Sequence, residues 1–162
     1  VKPALGKSFA ARVYDNRTLR EVTASRPPRM RVLVSEPVTW VREYRCFVLE
    51  GRVVTACAYR RDGRTLRDLD DTMGAGPSEL DEACTFSQAV LDSVAGPPAF
   101  VLDVGLIEGR GWSVVEPNEC WASGIYTCDR ERVLATLLGA CTSSAVPSDW
   151  DSYRFHREAQ GS

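Results

Sequence analysis

A chain of 162 residues, 44% hydrophobic and 26% charged, is long enough to bury a core as one domain, and its composition is that of an ordinary globular protein. No stretch approaches the apolar length needed to span a bilayer, so no membrane partner is expected. The net charge of −2 hides an asymmetry: residues 1–67 carry 15 Lys/Arg against 6 Asp/Glu, a net of +9, and residues 68–162 carry a net of −11.

A basic half of this kind suits a nucleic-acid-binding protein, but no array of stacking aromatics accompanies it and the acidic half would repel a polyanion. A phosphate ligand that arrives with a cation uses both halves. The six cysteines, Cys46, Cys57, Cys84, Cys120, Cys128 and Cys141, form no Cys-x-x-Cys pair, and there is one histidine, which argues against zinc. Without a signal peptide they read as reduced thiols in a cytoplasmic protein, and none stands out as a nucleophile.

The chain opens on Val1-Lys2-Pro3 as if a strand had been entered at its end, and it reads as part of something longer. Gly6-Lys7-Ser8 matches the end of the Walker A pattern, but the first glycine of that pattern would fall on Val1. Phe9 to Tyr14 also looks like a strand where a phosphate-cradling helix would have to start, which rules the P-loop out. Residues 15–29 read as a polar connection, and Met30 to Val34 as an apolar strand leading into Ser35-Glu36-Pro37-Val38.

Tyr44 to Leu49 and Val53 to Tyr59 predict a hairpin around Glu50-Gly51-Arg52. Glu43 and Arg45 share a strand face at its start. They are either a cross-strand charge pair or, for the permanently charged and planar arginine, a phosphate contact. Residues 61–77 form a polar loop whose Asp68, Asp70 and Asp71 lack calcium-loop spacing and read as a solvated charge run. Ser78 is the expected N-cap of an amphipathic helix bearing Leu80, Ala83, Cys84, Val90, Leu91 and Val94, ending near Gly96-Pro97-Pro98.

Phe100 to Ile107 and Trp112 to Glu116 flank Glu108-Gly109-Arg110-Gly111 and predict a second hairpin. Counting from a turn centred between Gly109 and Arg110 sets Asp103 opposite Glu116, with Asn118 on the same face. Facing carboxylates repel, so something must compensate. One answer is a divalent cation: an all-oxygen set suits magnesium, or manganese in its place, completed by water and phosphate oxygens, which points to nucleotides. The other is that Asp103 is solvated or paired with an arginine. Asp129 then caps a helix expected to gather Val133, Leu134, Leu137, Leu138 and Cys141 on one apolar face, and residues 143–162 read as a tail whose Trp150, Tyr153 and Phe155 could dock it.

These motifs taken together resemble the ATP-grasp superfamily of carboxylate ligases, in the clade named for one arginine and two lysines. The likeness is carried by Val1-Lys2-Pro3, Lys7-Ser8-Phe9, Glu43-Tyr44-Arg45, Asp103-Val104-Gly105 and Glu116-Pro117-Asn118, in order over roughly residues 1–140. It implies an α+β, mostly antiparallel sheet with two helices packed on one face, over a domain of residues 1–142. It also implies that Asp103, Glu116 and Asn118 hold the magnesium of MgATP, that Lys2, Lys7 and Ser8 meet the phosphates, and that Glu36 to Val38 lie along adenine. Glu43 would accept from the ribose hydroxyls, and Arg45 would hold phosphate or acyl-phosphate, with Lys7 as its companion in catalysis. The stretch Glu119 to Tyr126 would lie beside the metal.

The activity so implied is ATP-dependent ligation of a small-molecule or peptide carboxylate to an amine acceptor through an acyl-phosphate. ATP-grasp enzymes of this type carry a further N-terminal region, which is expected to complete the substrate side. The alternative is a non-catalytic nucleotide-binding or interaction module.

Overall fold

The computed structural model describes residues 1–4, 8–65 and 76–141. Contacts divide the chain into a first unit, Val1–Thr39, and a second that begins at Trp40. The division falls inside the stretch read from sequence as one domain over 1–142. Lys7, the Asp68, Asp70 and Asp71 cluster and the 143–162 tail lie outside the described residues.

In the first unit, β1 (Lys2–Pro3) pairs antiparallel with β2 (Val32–Leu33), Lys2 opposite Leu33. Between them, where a polar connection was expected, runs α1 (Asn16–Thr23). Its cause is a capping box: Asp15 accepts from the Thr18 N–H at 2.7 Å, and Thr18 Oγ1 accepts from the Asp15 N–H at 3.2 Å. The helix has no buried residue, so no apolar stripe announced it. Phe9 to Tyr14 is not a strand; the Tyr14 hydroxyl donates to the Ala10 carbonyl and its ring meets Phe9 edge-on, which folds the segment back on itself.

The second unit is a five-stranded antiparallel sheet in the order β5 (Arg64–Thr65), β4 (Arg52–Arg61), β3 (Trp40–Leu49), β6 (Ala99–Ile107), β7 (Gly111–Asn118). Both expected hairpins form, and the architecture is the α+β, mostly antiparallel one. At the β3–β4 turn, Glu50 and Gly51 take φ of 50° and 75°, the left-handed pair that a tight hairpin demands.

The two helices of this unit, α2 (Pro77–Ser93) and α3 (Arg130–Ala140), lie on opposite faces of the sheet, not on one. Strands β3 and β6 are apolar on both sides. Tyr44, Cys46, Val48, Leu102 and Val104 turn toward Leu80, Ala83, Phe86 and Val90 of α2, while Phe47 and Val101 turn toward Val133 and Leu137 of α3. A strand apolar on both faces needs a cover on each.

The α2 cap is Gly76 with Pro77 in the first turn, two residues ahead of the expected Ser78. Asp129 caps α3 as expected, accepting from the Arg132 N–H at 2.9 Å. Leu134 and Leu138, expected on the buried face of α3, are 56% and 65% exposed. The inward positions are Val133, Thr136, Leu137 and Ala140, and the Thr136 hydroxyl is satisfied by the Arg132 carbonyl. Among the described residues no helix is long and apolar enough to cross a membrane.

Candidate functional site

Asp103 faces Glu116 across β6 and β7, as the sequence suggested, but the count that led there was incomplete. The turn is one residue tighter than assumed: Ile107 pairs with Gly111 and Val104 with Val114. In that register Asp103 would meet Val115. A bulge at Val115 shifts the ladder by one residue and returns Glu116 to Asp103 and Asn118 to Val101.

Asn118 donates from Nδ2 to Asp103 Oδ2 at 3.0 Å and to Glu116 Oε1 at 3.4 Å, so its amide stands between the two acids. The three side chains thus converge. Asn118 acts here as a donor, and offering its oxygen to a cation requires the amide to turn over.

The carboxylate of Asp103 is also held from β3. Arg45, its cross-strand neighbour, donates from Nε to Oδ1 at 3.0 Å and from an η nitrogen to Oδ2 at 2.8 Å, a bidentate pair with both residues buried. The other η nitrogen donates to the Gly124 carbonyl at 3.1 Å. The guanidinium lies 4.9 Å from the centre of the Tyr59 ring and 5.4 Å from that of Tyr126. Tyr126 reaches this position with φ of 44°, a backbone state few non-glycine residues adopt.

A second buried acid adjoins this cluster. Glu43, 3% exposed, accepts from the Tyr59 hydroxyl at 2.6 Å and pairs with Arg60 at 3.4 Å. Tyr59 is the extra residue of a bulge in β4, since Glu43 pairs with Arg60 and Tyr44 with Ala58. Its hydroxyl therefore serves Glu43 while its ring serves Arg45. Glu43 and Arg45 are accordingly not a charge pair with each other; each has its own partner. For Glu43 to meet ribose, the half-exposed Arg60 has to give way.

Burial opposes both charges of the Arg45–Asp103 pair. At Arg45, burial is outweighed by the hydrogen bonds it donates to Asp103 and by that carboxylate's charge, and the proton is held more tightly than usual. At Asp103, burial wins over Arg45 and Asn118, and the nearby charge of Glu116 adds to it, pushing the carboxyl above its usual range. The bidentate geometry is that of an ion pair, whose attraction has to offset the cost of taking both charges out of water. Burial, with Asp103 and Glu43 beside it, also raises Tyr59, which keeps the hydroxyl a donor.

Among the described residues no group of three or more His, Cys, Asp or Glu is arranged to hold a metal. The set on β6 and β7 is two carboxylates and an amide. Of the remaining sequence candidates, Lys2 lies on β1, and Ser8 contacts the Met30 sulfur while its carbonyl accepts from Arg26. Glu36 and Val38 sit in the extended segment after β2. All four belong to the first unit, whereas Glu43, Arg45, Asp103, Glu116 and Asn118 belong to the second.

Sequence reasoning did not find Tyr59, Arg60, the Gly124 carbonyl or Tyr126. Tyr59 was hidden by its bulge, and a backbone carbonyl carries no residue signature. The Glu119 to Tyr126 stretch, expected beside a metal, sets its Gly124 carbonyl and Tyr126 ring against Arg45.

Cdc123 from Schizosaccharomyces pombe, a solved structure, is similar at 18% identity and a TM-score of 0.39 over 68% of this chain and 47% of that one, so the chain spans about half that protein's length. No curated protein matches the chain. Residues 1–136, which include every strand and the first seven of the eleven residues of α3, match the family described as ATP-grasp domain, R2K clade family 2, and the chain belongs to that ATP-grasp family.

Proposed function

We propose that this ATP-grasp domain serves an ATP- and magnesium-dependent ligase that activates a carboxylate as an acyl-phosphate, from which an amine displaces phosphate to give an amide. The observation that carries this is the convergence of Asp103, Glu116 and Asn118 on one face of β6 and β7. Membership of an ATP-grasp family supports ATP-dependent, ligase-type chemistry in general; the magnesium ion, the carboxylate and the amine are our inference.

The donor set fits the ion. Once the Asn118 amide turns it is all oxygen, the type that magnesium or manganese prefers, with the buried carboxylate of Asp103 facing that of Glu116. Bound there, the ion would neutralise phosphate charge during transfer.

The chain's own residues do the positioning. Arg45 fixes both oxygens of Asp103, and the Tyr59 and Tyr126 rings with the Gly124 carbonyl fix Arg45. We therefore assign Arg45 to orienting Asp103 ahead of gripping phosphate. Lys2, Lys7 and Ser8 toward phosphate, Glu36 and Val38 toward adenine, and Glu43 toward ribose keep the roles that the resemblance implies. No side-chain nucleophile or general base is needed for phosphoryl transfer to a carboxylate.

A second reading, a nucleotide-binding module without turnover, is favoured by one observation: Asp103 is already engaged by Arg45 and Asn118. Hydroxylamine separates the two, because it traps acyl-phosphates as hydroxamates. With MgATP and a panel of carboxylic acids, a ligase forms hydroxamate and ADP with some of them and loses both in Asp103→Asn. Nucleotide binding without hydroxamate from any acid points to the module.

A further inference from the structure

Beneath the Arg45 cluster lie two thiols that phosphoryl transfer does not use. Cys57 on β4 is the cross-strand partner of Arg45, and Cys128 precedes the cap of α3; 71 residues separate them in sequence. Their sulfurs are 2.9 Å apart, Cys128 donating to Cys57. Both are free and only 4% and 5% exposed. A disulfide requires the sulfurs to close to about 2.05 Å, a shift of under an ångström.

We propose that Cys57 and Cys128 are a reversible redox couple, oxidised to a disulfide by a small hydroperoxide and restored by a dithiol. In the first step the Cys57 thiolate attacks one peroxide oxygen; the O–O bond breaks, and the departing hydroxide takes up a proton as water, leaving a sulfenic acid. In the second, Cys128 gives up its proton and its sulfur attacks that of Cys57; the S–O bond breaks and a second water leaves. Two thiols and one hydrogen peroxide thus become one disulfide and two waters.

Three features favour this pair over the other cysteines. The hydrogen bond from Cys128, at a sulfur separation of 2.9 Å, lowers the Cys57 thiol against its burial, whereas burial pushes Cys46 up to about 12 and also raises Cys84 and Cys120. The resolving thiol is already in contact, which favours the disulfide over further oxidation. The cover is thin: residues 123–128 form no helix or strand, and Ile125, whose carbonyl is 3.9 Å from the Cys57 sulfur, is 40% exposed. A peroxide is small enough to pass such a layer.

The bond has a consequence for the neighbouring cluster. The segment it fastens to β4 is the one that carries the Gly124 carbonyl and Tyr126, so oxidation fixes the two groups that hold Arg45. The disulfide itself does not depend on the ligase reading.

The experiment treats the folded, reduced chain with hydrogen peroxide, then denatures it, alkylates the remaining thiols and maps the peptides by mass. The expected result is one linked pair, Cys57 with Cys128, lighter by two hydrogens, reversed by a dithiol and lost in Cys57→Ser. Circular dichroism reports whether the serine variant folds; if it does not, the wild-type map alone decides. Recovery of both cysteines alkylated at a dose that oxidises the exposed Cys141, or a link from either one to a different cysteine, overturns the proposal.

Discussion

Arg45 reaches across from β3 to hold both carboxylate oxygens of Asp103, at 3.0 and 2.8 Å, with two tyrosine rings against its guanidinium. It sets a counter-charge directly on the buried carboxylate of Asp103. A buried pair of this kind need not add net stability, but it leaves either member costly to remove alone.

Arg45→Met should therefore lower unfolding free energy by about 3 kcal/mol, because it strands Asp103 without its partner. Asp103→Asn placed on top should recover part of that loss. Denaturant unfolding of the two single variants and the double one measures the coupling, and simple additivity would deny that the two residues act as a pair.

Tyr59→Phe keeps the ring beside Arg45 and removes only the hydroxyl that donates to buried Glu43 at 2.6 Å. Hydrogen bonds to charged groups are worth about 1.5–3 kcal/mol, and a loss near the lower end is expected because Arg60 still pairs with Glu43. Urea titration reads it. Unchanged stability would mean that the hydroxyl does not hold the acid.

Gly105 stands two residues from Asp103, where a Cβ would lie 2.6 Å from Trp40 Cε3 and 2.8 Å from the Arg42 carbonyl oxygen. The backbone atom cannot swing aside. Gly105→Ala should cost about 1–3 kcal/mol through overpacking, seen as a lower thermal midpoint. An unaltered midpoint would show that β3 and β6 do not approach as closely as described.

In the first unit, the cap of α1 sets a pH dependence. The Thr18 N–H, with the Thr18 hydroxyl, holds the Asp15 carboxyl below the usual carboxylate range. A lowered acid contributes stability above its unfolded pKa and loses it as pH falls through the folded one. Protection of the Thr18 amide, taken relative to its intrinsic exchange rate, should thus hold through neutral and mildly acidic pH and fall only below the ordinary carboxylate range. Asp15→Ala should exchange fast throughout; slow exchange in that variant would contradict the cap.

Elements with a strong local signature were legible in the sequence. Both hairpins, α2 and the Asp129 cap follow from alternation, turn glycines and capping residues, whereas the Asp103–Glu116 pairing was reached only because the bulge at Val115 offsets a turn counted one residue too long. What was not legible depended on tertiary context. Strand apolarity alone does not say that two helices will divide between the faces, and Leu134 and Leu138 satisfy a helical period without being buried. Bulges at Tyr59 and Val115 redirect side chains that strict alternation would send elsewhere. Arg45 reads from sequence as a phosphate ligand because its residue type allows it. Only the register opposite Asp103 reveals the carboxylate it serves.

The central claim is that Asp103, Glu116 and Asn118 form the metal side of a nucleotide site. Calorimetric titration with ATP, in magnesium and again in EDTA, on the wild-type chain and on Glu116→Gln, tests it most directly. We expect ATP to bind far more tightly with magnesium, and Glu116→Gln to remove that gain while leaving binding in EDTA nearly unchanged. Equal affinity with and without magnesium in the wild type, or equal loss in both conditions in the variant, would contradict it.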